Sequence, residues 1–251
     1  LLNIVETYTE YTGRMAPLPE WTQQGSIVRL YGGTDVVEAA VDELEAADCP
    51  LAGVWIEDWC GLRTTPFGKR IWWNWVGDEA LYPDWGGLIG SLKDRGVRVL
   101  AYFNPFLTDA SEKENLTRNL FEEAEAEGYL VENPEGGTLL VENGGFYAGM
   151  IDLTNDATRS WIKDIMKGQI SLGVSGWMAD FGEALPYEAK LHSGVDSREY
   201  HNRYPYEWAR LNREVIQEAG VEYDFLFFSR SGNAKSPGAT RLFWIGDQLC
   251  S

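Results

Sequence analysis

Short apolar runs of strand composition alternate with helix-period segments along the whole chain, and that alternation restricts the fold more than any other feature. Residues 27–31 read as a first strand, ended by Gly32-Gly33. Thr34-Asp35 then opens a helix in which Val36, Val37, Ala40, Val41, Leu44 and Ala47 recur at helical spacing. Further strands are expected at residues 52–56, 97–103, 174–179, 225–228 and 241–245. Helices are expected at 85–94, 157–172 and 205–219, with a long acidic one near 112–127 and a short extended piece at 146–153. Strands that are apolar throughout and separated by helices mean a parallel sheet buried on both faces. A βα barrel and a doubly wound sheet both satisfy this. No Gly-x-Gly-x-x-Gly turn or phosphate loop is present, which disfavours a nucleotide-binding sheet.

The strand ends separate the two architectures. Glu57-Asp58, Asn104, Asp180, Arg230 and Asp247 each follow an expected strand on its C-terminal side. A barrel gathers its functional residues from several strands at that rim. The expectation is an α/β fold of the (β/α)8 TIM-barrel class, with residues 1–25 as a lead-in and 26–251 as a partial barrel. About six strands are expected, against the eight of a closed barrel, so the sequence reads as a fragment of that domain.

The formal net charge of −18 is spread along the chain. It argues against nucleic acid or an anionic membrane as partner, because both need basic patches. No apolar run approaches a membrane span of about 20 residues. No signal peptide is visible, which favours the cytoplasm, although the first residue is not Met. Cys49, Cys60 and Cys250 have no metal-ligand spacing and read as ordinary buried thiols. His192 and His201 lack metal-like partners and read as structural. No metal or cofactor is expected.

Asp180 and Asp247 stand at equivalent strand ends. Two carboxylates in one barrel mouth can cleave a glycosidic bond: one attacks the anomeric carbon, and the other protonates the leaving oxygen and then activates water. A helix N-cap role accounts for either position equally simply. Arg230 is placed to keep a neighbouring carboxylate ionised or to hold sugar hydroxyls; a structural ion pair accounts for it equally well. The stretch from Phe67 to Trp75 mixes Lys69 and Arg70 with Trp72, Trp73 and Trp75 in an expected loop. A guanidinium with an indole N–H suits the oxygens of a sulfonate or phosphate. A packed loop with Arg70 stacked on an indole is the alternative.

At these residues the sequence resembles glycoside hydrolase family 31 and, within it, the sulfoquinovosidase branch. The resemblance runs from about Pro17 to the end. Gly176-Trp177-Met178-Ala179-Asp180-Phe181-Gly182-Glu183 is similar to the nucleophile strand, Phe228-Ser229-Arg230-Ser231-Gly232 to the arginine strand, and Trp244-Ile245-Gly246-Asp247-Gln248 to the acid/base strand. His192-Ser193-Gly194 and His201-Asn202-Arg203-Tyr204-Pro205 fit the same branch. Their order and spacing together carry the resemblance.

The resemblance implies Asp180 as nucleophile and Asp247 as general acid/base, with the Asp247 pKa raised by burial and by the nucleophile's charge. It implies Arg70 and Trp73 as sulfonate ligands and Glu57 as a contact to sugar hydroxyls, with Asp58 a weaker candidate. The implied substrate is a small sulfonated glycoside, an α-sulfoquinovoside such as sulfoquinovosyl glycerol or sulfolipid, hydrolysed with retention. An α-glucosidase or α-xylosidase acting on neutral sugars is the alternative, and a silent sugar-binding barrel a further one. Tyr31 departs from the family, which carries Gln or Lys before the paired glycines. Arg29, on the same strand face, is the residue that could compensate. The family's N-terminal β-sandwich, its water-bridged sulfonate tyrosine and its late-strand histidine are expected outside this sequence.

Overall fold

The computed structural model describes residues 2–246. Along the chain run α1 (Leu2–Thr12), β1 (Ser26–Leu30), α2 (Thr34–Ala46), β2 (Leu51–Ile56), a hairpin of β3 (Leu62–Thr65) and β4 (Gly68–Ile71), and α3 (Trp85–Asp94). Then follow β5 (Arg98–Phe103), β6 (Phe106–Leu107), α4 (Leu120–Ala126), β7 (Leu140–Glu142), β8 (Tyr147–Met150), α5 (Asp156–Leu172) and β9 (Gly176–Ala179). The last described elements are α6 (Ser197–Tyr200), α7 (Tyr204–Glu218) and β10 (Leu226–Ser229).

Five strands form one parallel sheet in the order β1-β2-β5-β9-β10. Each new strand adds beside the previous one, so the order never reverses. A doubly wound sheet needs such a reversal; a barrel does not. The topology therefore settles the choice that strand composition left open.

Side chains alternate between the two faces. Val54, Ile56, Val99, Ala101, Phe103, Trp177 and Phe227 pack with helix residues such as Val37, Leu88, Ile162 and Leu211 in the main core. On the opposite face Trp21, Ala52, Leu100 and Leu226 form a second cluster, with Trp55 and Phe228 against it. Continuing that second face toward the C-terminal strand ends leads, by steps of two, to Glu57, Tyr102, Asp180 and Arg230.

Core tryptophans are fixed by their N–H groups as well as by burial. Trp177 donates to Asn212 Oδ1 at 2.7 Å, Trp59 to the Tyr102 carbonyl at 3.0 Å and Trp208 to the Asp180 carbonyl at 3.1 Å. The first βα turn needs its glycines: Gly32 and Gly33 have φ of 112° and 101°. A Cβ on Gly33 would also lie 2.9 Å from the Leu81 carbonyl oxygen.

Several expectations change. The lead-in contains a helix, α1, on which Leu2, Ile4, Val5, Tyr8 and Tyr11 are exposed. The stretch expected as a loop before Trp72 is in part the β3–β4 hairpin, closed at Thr65, whose hydroxyl donates to the Gly68 carbonyl at 2.9 Å. The expected strand at 241–245 is a single parallel bridge, Ser229 to Phe243. Cys60 is buried but Cys49 is exposed, and Cys250 lies outside the described residues.

The long acidic helix expected at 112–127 shortens to α4. Asp109 accepts from the Ser111 N–H and from Asn119, at 2.9 and 2.8 Å, so local side-chain bonds compete with the helix there. Asn74, fully buried and remote in sequence, accepts from Leu120 N–H at 2.9 Å and donates to the Arg118 carbonyl at 3.0 Å. It thereby sets where α4 begins. Asn74→Ala leaves two backbone groups without partners and is expected to destabilise the protein by about 2 kcal/mol. The check is thermal unfolding, where Tm falls by roughly 4–8 °C.

Candidate active site

Asp180 follows β9 directly, and its side chain is 10% exposed. Tyr102 on the adjacent strand β5 donates its hydroxyl to Asp180 Oδ2 at 2.5 Å. The register supplies that contact: Tyr102 pairs with Met178 and Phe103 with Ala179, so the next pleat brings the two side chains together. Asn104 donates to the Tyr102 oxygen at 3.2 Å, and its own carbonyl oxygen accepts from Phe106 N–H at 2.9 Å. Asp180 Oδ1 is buried and makes no hydrogen bond among the described residues. The Arg230 Nε atom is 3.3 Å from it.

Arg230, at the end of β10, binds Asp180 and Glu183 together. Its guanidinium also lies 4.0 Å from the centre of the Phe181 ring. Phe181 has a φ of 56°, a left-handed conformation that costs a residue with a side chain roughly 1 kcal/mol or more. That backbone twist turns the ring toward Trp73, with centroids 5.2 Å apart. Burial raises the Asp180 pKa; the Tyr102 hydrogen bond and the Arg230 charge oppose the rise without cancelling it. For Arg230 the balance is reversed: burial disfavours its charge, but Glu183 and Asp180 outweigh it and raise its pKa.

A cavity of about 450 Å³ opens beside this cluster. Tyr102 forms one wall; Arg29, Tyr31, Glu57, Asp58, Lys69, Arg70, Trp73 and Phe146 form others. Six of the residues singled out from sequence are thus assembled with, or bonded through, Tyr102: Tyr31, Glu57, Asp58, Arg70 and Trp73 at the cavity, and Asp180 behind it.

Their individual environments differ. Arg70, on β4, is exposed, and its guanidinium makes one weak contact, to the Lys69 carbonyl at 3.4 Å. The arginine that stacks on an indole is its cross-strand partner Arg63, 4.2 Å from the Trp72 ring. Trp73 is buried among Phe106, Phe146 and Phe181, at 5.4, 4.9 and 5.2 Å. Glu57 is ion-paired with Arg29, whose guanidinium also lies 5.4 Å from the Tyr31 ring. Asp58 is 1% exposed, and both its oxygens are taken, by Gly32 N–H at 2.8 Å and the Tyr82 hydroxyl at 2.5 Å. That geometry makes Asp58 a clamp on the first βα turn. Burial is the main cause of its raised pKa.

A second cavity, of about 670 Å³, is lined by Arg230, Glu183, His201 and Trp244 among others. His201 Nδ1 lies 2.6 Å from the Leu185 carbonyl oxygen, and His192 offers its backbone N–H to Asp152. Asp247 lies outside the described residues, and with it the separation of the two carboxylates. Among the described residues no cluster of His, Cys, Asp and Glu is arranged to hold a metal. No described helix is long and apolar enough to cross a membrane.

Sequence reasoning missed Tyr102, Phe181 and Glu183. The signal available for Tyr102 was its parity: it lies two residues before Asn104 on a strand whose polar end faces the rim.

Residues 15–251 match the model of the glycosyl hydrolases family 31 TIM-barrel domain. Over 248 residues the chain is 40% identical to the sulfoquinovosidase of Escherichia coli (strain K12), covering 98% of this chain and 36% of that protein. It is 38% identical to the sulfoquinovosidase of Agrobacterium fabrum, with the same two coverages of 98% and 36%. The structure also superposes on a solved family 31 sulfoquinovosidase from E. rectale, in complex with an aza-sugar inhibitor. The TM-score is 0.92 and the identity 38%, covering 98% of this chain and 36% of that one. The chain spans little more than a third of the length of these relatives.

The folded-state pKa of Asp180 lies above its ordinary value, so ionising it costs stability as pH rises through that pKa. Asp180→Asn removes this cost while keeping an oxygen for Tyr102. It is expected to raise Tm at neutral pH, with the gain shrinking toward acid pH, where the wild-type carboxyl is protonated. Paired thermal scans at neutral and acid pH check the sign.

Proposed function

Because this chain belongs to glycosyl hydrolase family 31, we propose that it supplies the nucleophile half of a retaining α-glycosidase site for α-sulfoquinovosides. The observation that carries the substrate class is the placement of Arg70 and Trp73 on the cavity whose wall is Tyr102, the hydrogen-bond partner of Asp180. The 40% and 38% identities to proteins named sulfoquinovosidase point the same way.

In this reading Arg70 faces the sulfonate. A fixed anion is repelled by a protein of net charge −18, and Lys69 and Arg70 bring local positive charge to the cavity. The weakly engaged Arg70 guanidinium keeps its donors for oxygens of the ligand. Glu57, oriented by Arg29, accepts from sugar hydroxyls. Tyr31 supplies an aromatic wall where Arg29 takes over the polar contact.

Asp180 attacks the anomeric carbon with a carboxylate electron pair. The glycosidic C–O bond breaks, its pair moves to the leaving oxygen, and Asp247 supplies the proton. Water then attacks the glycosyl ester, Asp247 takes the proton, and Asp180 departs as carboxylate, so configuration is retained. Loss of negative charge on Asp180 between the steps lowers the pKa of Asp247 and suits its change from acid to base.

Two measurements with an aryl sulfoquinovoside test this reading in the full-length protein. Asp180→Asn is expected to lower kcat roughly 10³-fold or more; unchanged turnover removes Asp180 from its role. Arg70→Ala is expected to lower kcat/KM on the sulfonated sugar by about 10–100-fold more than on the neutral glucoside, the worth of a charge-assisted hydrogen bond. Equal losses on both sugars would favour an α-glucosidase or α-xylosidase.

A further inference from the structure

We propose that Tyr102, held by Asn104, is a positioning residue that fixes the Asp180 carboxylate through Oδ2 and assists departure of Asp180 in the second half of the reaction. This rests on the reading of Asp180 as nucleophile and deepens it.

The first ground is directional. Asn104 fixes its amide by accepting from Phe106 N–H, which leaves its NH₂ to donate to the Tyr102 oxygen. With that lone pair occupied, the phenolic proton lies toward Asp180 Oδ2, 2.5 Å away. Oδ1 is buried without a hydrogen bond among the described residues, and the Arg230 charge stands beside it.

The second ground is rigidity. Trp59 donates to the Tyr102 carbonyl and Trp208 to the Asp180 carbonyl, both from fully buried positions. The two partners are therefore fixed through their backbones as well as through each other. Neither backbone can shift without breaking a core hydrogen bond.

The third ground is charge. Among the described residues, the titratable groups facing Asp180 are Tyr102 from β5, Arg230 from the end of β10 and Glu183 from its own segment. The phenol is the strongest influence opposing burial of the carboxylate. In glycosylation the Asp180 carboxylate donates an electron pair to the anomeric carbon while the glycosidic bond breaks toward the leaving oxygen, which takes a proton from the general acid. The ester that forms carries no negative charge and accepts more weakly from Tyr102. In deglycosylation the ester C–O bond breaks, the pair returns to Asp180, and negative charge rebuilds on the carboxylate under the phenol. A donor aimed at charge that develops in the transition state accelerates that step. Tyr102 keeps its own proton throughout.

The test is Tyr102→Phe in the full-length enzyme. Deglycosylation slows, so kcat falls about tenfold to a hundredfold, the loss of one charge-assisted hydrogen bond. KM falls with it because the glycosyl-enzyme accumulates. Removing the donor raises the Asp180 pKa, so the acid limb of kcat/KM moves to higher pH. Asn104→Ala retains the phenol but frees its orientation and is expected to shift the same limb by less. An acid limb and a kcat unchanged in a folded Tyr102→Phe enzyme overturn the proposal. If that variant does not fold, an unmoved limb in Asn104→Ala does so. Trapping the wild-type enzyme with a fluorinated glycosyl fluoride and locating the ester by mass spectrometry separates the two readings. An ester on another residue sinks the Asp180 assignment, whereas an ester on Asp180 with an unaltered Tyr102→Phe enzyme sinks only the role given to Tyr102.

Discussion

Burying the carboxylate of Asp180 strips it of most of its hydration, and a charge so placed must be compensated within hydrogen-bond reach. The compensation comes from both neighbouring strands. Tyr102 reaches it from β5 and Arg230 from β10, and Glu183 accepts from the same Arg230 Nε that stands beside Asp180. This arrangement requires β9 to sit between β5 and β10 in parallel register, which is where the sheet order places it. The helices that cover the sheet, and the tryptophans that lock it, maintain that register.

The same constraint couples the core to the rim. Trp59, Trp177 and Trp208 are fully buried, and two of them spend their indole N–H on the carbonyls of Tyr102 and Asp180. An unmet indole or carbonyl in that environment costs about 1–3 kcal/mol. Packing of the helix layer therefore has a direct consequence for the position of the Tyr102 and Asp180 oxygens. Phe181 completes the link, because its left-handed backbone places one ring against both Trp73 and Arg230.

Polar residues at the rim divide into those that hold the scaffold and those left available for a ligand. Asp58 spends both oxygens on the first βα turn and Tyr82. Asn74 spends its amide on the start of α4. Arg70, in contrast, makes one weak contact beside the cavity, while Asp180 Oδ1 is buried with the Arg230 charge next to it.

The alternation of strands and helices, the polar strand ends, and the positions of Asp180, Arg230 and Arg70 are legible along the chain. Those are local properties: apolar period, breakers, and residue type after each strand. That the strands add in one direction, that Tyr102 meets Asp180, and that Asp58 faces inward to a turn are set by long-range contacts. The tertiary structure also shortened the acidic helix at 112–127, because Asn74, far away in sequence, fixes its first turn. These outcomes depend on register and on partners brought from distant segments, and no window of sequence contains both sides of such a contact.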